Sequence, residues 1–440
     1  MSRSSRTPIE RILRPFEEFT KLQAVGGILL LISTAAALVC SNSPWGSQYL
    51  AFWQTPIAVG FGESILSKPL LVWINDGLMA VFFFVVGLEI KREVLVGELA
   101  LPRQAALPIA AALGGMLAPA AIYAALNAGT AGAAGWGVPM ATDIAFALGV
   151  LTLLGRRVPV ALKVFLAALA IADDLGAVVV IASFYSSGIS WTSLGVGAGF
   201  LVVLVAFNRA GVRHPLPYAV FGIGGVWLAF LLSGVHPTIA GVLNAMTIPA
   251  RARMDTDEFL ARDREILEAF KRAGHSGPHE FMNEAHHAAL GTLVATVQDV
   301  QTPMERLEHL LHPWLIFAVM PIFALANAGV VLTGDLLETL THPVTLGVIA
   351  GLVLGKQLGV TLFAWVAVRS GLAVMPSGVT WRHIYGVSWL AGIGFTMSLF
   401  ISGLAFGESP LLHSAKLGIL CGSVVAGVGG WLILRGCSNR

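Results

Sequence analysis

Residues 169–179 read LAIADDLGAVV and place two adjacent carboxylates near the middle of an apolar run. The run extends from about Pro159 to Tyr185, which is long enough to cross a bilayer as a helix. A charge at the centre of a membrane costs about 2.5 to 3.5 kcal/mol, and two neighbouring carboxylates in low dielectric resist simultaneous ionisation. We therefore expect Asp173 and Asp174 to be neutralised by a proton, a metal cation or a basic side chain from another helix.

The composition places the whole chain among multi-span membrane proteins. Of its 440 residues, 56% are hydrophobic and 12% are charged, whereas soluble domains carry roughly 25% charged residues. The formal net charge of +2 gives no argument for nucleic-acid binding. The three cysteines lie in or beside apolar segments and indicate neither a disulfide framework nor a metal cluster.

The apolar segments predict an all-α polytopic membrane protein in which residues 1–440 form one domain of about 12 transmembrane helices. Predicted helices 1 to 8, in chain order, cover about residues 24–41, 69–90, 104–127, 135–154, 159–185, 191–208, 217–233 and 236–249. Predicted helices 9 to 12 begin at Pro313, at Pro343, near Ile384 and near Leu411.

Three segments are predicted to lie outside the membrane. Residues 1–23 are polar and basic, and residues 42–67 form a hairpin-like excursion that tryptophans hold near the interface. A hydrophilic loop over residues 250–312 contains six of the eleven histidines. Basic residues cluster at both termini and after every second predicted helix, which places both termini and this loop in the cytoplasm.

Two predicted helices are interrupted by polar and breaker residues. Residues 138–143 (VPMATD) interrupt predicted helix 4, and residues 392–398 (GIGFTMS) interrupt predicted helix 11. These helices enter the membrane from opposite sides, each within a three-helix group (predicted helices 3–5 and 10–12), which is typical of inverted-topology repeats in transporters. Alternatively, Gly392 and Gly394 merely allow two helices to pack closely.

Lys356 lies near the midpoint of predicted helix 10, where it needs a carboxylate or a helix dipole as a partner. The acids at comparable depth are Asp143, Asp173 and Asp174. Three acids and one base leave a net negative site that suits a cation. Together with the Thr142 hydroxyl they supply hard oxygen ligands, which favour an alkali ion over a soft metal.

The paired carboxylates predict exchange of a cation for protons. Because adjacent aspartates titrate as a pair, binding of a cation is expected to release protons. A protonated or cation-loaded site is nearly neutral and can change its access, whereas the empty site is charged and resists movement. If two protons leave for each monovalent ion, the exchange is electrogenic.

Two other functions are compatible with aspartates inside a membrane. An intramembrane aspartyl protease takes one aspartate from each of two helices, whereas neighbours on one helix diverge by about 100°. The chain also lacks a Gly-x-Gly-Asp sequence. A proton-coupled symporter of organic solutes requires a wider cavity with aromatic or arginine ligands, and no arginine lies at mid-membrane in this sequence.

Several segments resemble the NhaA-type bacterial sodium/proton antiporters, and the likeness covers nearly all of residues 10–435 in order. The segments are WINDGLMAVFF (73–83), GLEIKRE (87–93), ATDIAF (141–146), ADDLG (172–176), LEHLLHPW (307–314) and GIGFTM (392–397). The resemblance implies an electrogenic, pH-regulated secondary antiporter, not an enzyme, that exchanges cytoplasmic Na+ or Li+ for external H+. It also implies a transporter domain in the bacterial inner membrane, with the lipid bilayer and a second copy of the chain as partners and without a resident cofactor.

The resemblance assigns roles to individual residues at the centre of the membrane. Asp173 and Asp174 resemble the pair that binds Na+ and protons. Lys356 resembles the lysine that pairs with Asp173 and faces the termini of the interrupted helices. Asp143, together with Thr142, resembles the partner at the break in predicted helix 4.

Other matching positions lie nearer the membrane surfaces. A charged group resembles the cytoplasmic cluster implicated in pH activation, since acids beside imidazoles titrate near neutrality; the alternative is an ordinary solvated helix end. Its members are Glu89, Arg92, Glu93, Glu308, His309 and His312. Asp76 and His236 also match family positions, and residues 42–67 resemble a periplasmic β-hairpin through which the family dimerises.

The segment from about Arg251 to Thr302 is longer than expected for the family core. Its histidines show no convincing metal-ligand spacing, so a solvated loop is expected. They are His275, His279, His286 and His287. The added segment bears on the pH of activation and not on the transport site.

Overall fold

A computed structural model describes residues 8–61, 64–186, 188–252, 254, 256–272, 284–332 and 336–437. The described chain is almost entirely helical, which confirms the all-α prediction. Helix α1 (Pro8–Ser41) is followed by α2 (Gly46–Trp53), which is bent by 118° from the Val25–Ser41 part of α1. Strands β1 (Pro56–Phe61) and β2 (Ser64–Pro69) then pair in antiparallel register.

Fifteen further helices complete the bundle. They are α3 (Leu70–Leu95), α4 (Pro102–Asn127), α5 (Ile144–Leu153), α6 (Val160–Phe184), α7 (Trp191–Arg209), α8 (Pro215–Leu231), α9 (Pro237–Thr247), α10 (Thr256–Arg272), α11 (Glu284–Val300), α12 (Pro303–Asn327), α13 (Leu336–Thr341), α14 (Pro343–Arg369), α15 (Trp381–Ala391), α16 (Phe395–Phe406) and α17 (Leu411–Arg435). Short 3-10 turns lie between them, the longest over Ala131–Met140.

Seven of the described helices are long and apolar enough to cross a membrane, and the number rises to ten if each of three bent pairs counts as one span. The apolar helix α8 and the 11-residue α9 are shorter than this criterion requires. The multi-span class is therefore confirmed, while the count of 12 stays a prediction.

Helix α12 begins at Pro303, well before the predicted start at Pro313. Thr302 caps the helix, and Glu305 completes a capping box by accepting a bond from the Thr302 backbone, which is a strong start signal. Pro313 lies inside the helix, and a π-helical turn follows it at Leu315–Val319.

The segment predicted as a hydrophilic loop contains the helices α10 and α11. These two helices pack on each other, and the rings of Phe270 and His286 lie 4.5 Å apart. The two ends of the segment lie next to each other, because the Met304 N–H donates to the carbonyl of Pro249 at 3.2 Å. The whole segment thus leaves the bundle and returns at nearly the same point.

Both predicted interruptions are present as bent helix pairs. The 3-10 helix Ala131–Met140 meets α5 at 44°, and α15 meets α16 also at 44°. The two breaks lie against each other, since the Asp143 N–H donates to the carbonyl of Ile393 at 2.6 Å. This contact brings distant parts of the chain together at the centre of the bundle.

Helices α4 and α14 cross closely at a pair of glycines. A methyl group on Gly114 would lie 2.1 Å from the Gly359 carbonyl oxygen, and one on Gly359 would lie 2.0 Å from the Gly114 oxygen. Only residues without a side chain permit this approach. One position further along α4, the Lys356 ammonium passes 3.7 Å from where a methyl group on Gly115 would lie. The crossing therefore holds Lys356 against α4.

Candidate functional site

Asp173 and Asp174 lie on α6 and are almost completely buried, with exposed fractions of 1% and 2%. Asp173 accepts a hydrogen bond from the Lys356 ammonium at 2.8 Å, and Lys356 is itself fully buried. On each aspartate, the Oδ1 atom has no hydrogen-bond partner among the described residues. Buried carboxylate oxygens without partners are costly, so they indicate a place where a proton or a cation binds.

Lys356 also donates to the Thr142 hydroxyl at 2.9 Å. Thr142 in turn donates to the carbonyl of Ala391, the last residue of α15, at 2.8 Å. A π-helical turn at Gly351–Gly355 directly precedes Lys356, and such turns are frequent at functional sites. The lysine therefore connects the carboxylate pair on α6 to both helix breaks.

Asp143 makes its hydrogen bonds to the first turns of two helices. Its Oδ1 accepts from the Phe146 N–H at 3.1 Å, which caps α5. Its Oδ2 accepts from the Thr396 N–H at 3.1 Å and from the Thr396 hydroxyl, which caps α16. A single buried carboxylate thus neutralises the positive ends of two helix dipoles.

Two further backbone groups at the breaks are bonded across the pair. Ser398 donates its hydroxyl to the carbonyl of Val138 at 2.7 Å, and the Asp143 N–H donates to Ile393. Unpaired backbone groups inside a membrane are tolerated only where protein or water satisfies them. The two breaks therefore form one connected polar unit beside the carboxylate pair.

The charged group near the end of α3 lies against α12. His312 Nδ1 is 3.5 Å from Glu89 Oε1, and Arg92 forms an ion pair with Glu308. Arg92 also lies 3.4 Å from Glu93, so five of the six residues predicted for this cluster meet. His309, the sixth, is exposed and takes no part in these contacts.

Asp76 and His236 meet near the other end of α3. Asp76 lies in a π-helical turn, with His236 Nε2 at 3.5 Å and Lys68 Nζ at 3.4 Å. Trp227 donates its ring N–H to the Asp76 carbonyl at 3.0 Å. Lys68 was not predicted as an ion-pair partner from the sequence, although it is a basic residue directly after the predicted excursion over residues 42–67, which contains none.

The two described histidines of the added segment differ in burial and do not lie together in a metal-binding group. His286 is buried against Phe270 and His287 is exposed, while His275 and His279 lie outside the described residues. No group of three or more His, Cys, Asp or Glu side chains in the described chain is arranged to hold a metal ion. Thr396 and Ser398 are further residues of the helix breaks, and the polar GIGFTMS stretch was the signal that could have identified them.

Comparisons with known proteins identify the family. A family model described as Na+/H+ antiporter 1 matches residues 17–434. The chain belongs to this family. Its resemblance to the NhaA-type antiporters is thereby confirmed, and the family is one of membrane transporters and not of enzymes.

Similar proteins named Na(+)/H(+) antiporter NhaA match over almost the full length of the chain. The Oleidesulfovibrio alaskensis protein is 52% identical over 97% of this chain and 95% of its own length. The Koribacter versatilis protein is 51% identical over 98% of this chain and 94% of its own. For the Acidithiobacillus ferrooxidans protein the identity is 50%, over 98% of this chain and 99% of the relative.

Proposed function

We propose that this protein exchanges cytoplasmic Na+, or Li+, for external H+ at Asp173 and Asp174, in the inner membrane of a bacterium. The observation that carries the proposal is the buried pair of carboxylates, each with a buried oxygen that has no partner among the described residues, of which only Asp173 is bonded to Lys356. Family membership and the names of the relatives support the nature of the exchange.

The transported ions compete for the same oxygens in this proposal. Asp174 forms no ion pair among the described residues, so its carboxylate is available to a proton or to Na+. The ion also meets Asp173, whose second oxygen already faces the Lys356 ammonium. Carboxylate and hydroxyl oxygens are hard ligands that suit an alkali ion.

The charges of the site make the exchange electrogenic. With both aspartates ionised and Lys356 charged, the site carries one net negative charge, and one bound Na+ brings it to zero. With both aspartates protonated instead, the lysine leaves the site with one net positive charge. Asp143 is omitted from this balance because helix N-termini hold it. Two protons moving one way against one Na+ therefore carry one charge across the membrane per cycle.

The proposal includes regulation by pH and assembly into a homodimer. The contact between Glu89 and His312, which joins α3 to α12, supports the first. Strands β1 and β2 form a two-stranded sheet whose outer edges are unpaired among the described residues, and such edges pair readily with a second copy. The distribution of basic residues supports cytoplasmic termini.

Sodium-driven proton movement in everted membrane vesicles tests the proposal. Wild type is compared at several pH values with Asp174→Asn and with Asp257→Asn, a matched control at an exposed carboxylate on α10. We expect sodium to release protons in wild type and in the control but not in Asp174→Asn. An imposed membrane potential should change the rate if net charge moves.

Two results would contradict this proposal. Equal exchange in Asp174→Asn and wild type would place the ion site elsewhere in the protein. Absence of a sodium or lithium response in wild type at every pH would reject the exchange itself.

A further inference from the structure

A groove of about 660 Å³ opens between α14, the start of α15 and the end of α17, with Thr361 as its lining residue on α14. Trp381, Arg382 and Tyr385 line it from the first turns of α15, and Leu432 and Ile433 line it from the last turns of α17. The groove lies at one end of the bundle, away from the buried aspartates on α6. None of the residues assigned above to transport lines it.

The walls of the groove are mainly apolar, and three of the large side chains that line it are exposed. The exposed fractions are 57% for Leu432, 42% for Tyr385 and 39% for Trp381. In a helix that crosses a membrane, such side chains contact lipid chains, and tryptophan and tyrosine favour the level of the headgroups. The groove is therefore placed where a lipid can enter it from the side.

The same end of the bundle carries unneutralised positive charge. Arg369 lies in the last turn of α14, Arg382 in the first turn of α15 and Arg435 at the end of α17, and all three are exposed. Residues 360–390 and 421–437 contain no aspartate or glutamate, and none of the three arginines forms an ion pair within the described chain. Arg435 stacks over the Trp431 ring at 4.9 Å.

Guanidinium groups at a membrane surface are suited to phosphate, because they donate two hydrogen bonds in a planar fork. We propose that this groove binds a phospholipid with an anionic headgroup. The phosphate lies against Arg382, and an acyl chain lies along Leu432 and Ile433. A free phosphate would use only the arginine, whereas the apolar walls require a chain.

Lipid titration of the purified full-length protein in detergent tests this site, with native mass spectrometry as the readout. The probes are phosphatidylglycerol, phosphatidylcholine and inorganic phosphate. We expect wild type to retain phosphatidylglycerol in preference to phosphatidylcholine. Arg382→Gln should weaken phosphatidylglycerol binding about tenfold, the loss expected for a hydrogen bond to a charged group.

Two further variants separate the headgroup from the chain. Leu432→Trp fills the groove and should reduce phosphatidylglycerol binding although every arginine remains. Arg103→Gln removes an exposed arginine near the start of α4 and should leave binding unchanged. Equal binding of the two lipids, equal losses in Arg382→Gln and Arg103→Gln, unchanged binding in Leu432→Trp, or inorganic phosphate binding as tightly as the lipid would each overturn the proposal.

Discussion

Asp143 stabilises the crossing of the two helix breaks by capping α5 and α16 at once. Loss of one N-cap costs about 1 kcal/mol, so Asp143→Ala should lower the free energy of unfolding by about 2 kcal/mol or more. Thermal unfolding of the purified protein measures the change, with Asp257→Ala on exposed α10 as the control. Equal stability of the two variants would show that the Asp143 caps contribute little.

Lys356 supports a different prediction, because it is the only basic partner of Asp173 within the described chain. Lys356→Ala leaves a buried carboxylate without its counter-charge, and breaking a buried pair in this way costs about 3 to 5 kcal/mol. We expect a large loss of stability, or an exchange activity whose pH profile is shifted. The double variant Lys356→Ala/Asp173→Ala should recover part of the loss, because it leaves no lone charge.

Unfolding midpoints and exchange rates from pH 6 to pH 9 check this prediction. Unchanged stability together with an unchanged pH profile in Lys356→Ala would count against the pairing with Asp173. A double variant no more stable than the single one would show that the lysine acts through other contacts, such as its bond to Thr142.

The crossing of α4 and α14 positions the lysine, and it depends on two glycines. A methyl group at Gly359 would lie 2.0 Å from the Gly114 carbonyl oxygen, so the helices must separate. Overpacking of this kind costs about 1 to 3 kcal/mol. Gly359→Ala should therefore lower both stability and the rate of exchange. Gly403→Ala in α16, where nothing lies within 4 Å, is the matched control and should behave as wild type.

The contact between α3 and α12 predicts a change in the pH profile of exchange. His312 Nδ1 lies 3.5 Å from Glu89 Oε1, so these two side chains join the helices. If this link sets the pH at which exchange begins, the pH profile of His312→Gln should be displaced from that of wild type. His309→Gln, at an exposed position of the same helix, should keep the wild-type profile. Identical profiles for all three proteins would exclude His312 from the regulation.

The helices and their breaks could be predicted because their signals are local. Apolar runs define the spans, and VPMATD and GIGFTMS mark the interruptions. The predicted start of α12 at Pro313 is wrong, because the capping box of Thr302 and Glu305 is a stronger start signal than the proline. That the Thr396 hydroxyl bonds to Asp143 could not be predicted, because it depends on how two remote breaks face each other.

The molecule as a whole combines a membrane bundle with a hydrophilic segment. The Met304 N–H donates to the Pro249 carbonyl at 3.2 Å, so the chain leaves the bundle and re-enters it at one place. Within the segment α10 and α11 pack mainly on each other. The Asp173–Lys356 pair and both breaks lie on other helices, so the proposed transport site contains no residue of the segment.

Deletion of residues 256–300, bridged by a short Gly/Ser linker, should consequently leave the maximal rate of sodium/proton exchange unchanged. The entropic cost of closing the shorter loop is small, because loop entropy changes only slowly with length. Exchange in everted vesicles is compared between the deletion and the full chain over the pH range, at equal amounts of inserted protein. A shifted pH profile at full maximal rate would assign a regulatory role to the segment. Loss of exchange in a variant that still inserts and unfolds cooperatively would show that α10 and α11 support the transport site directly.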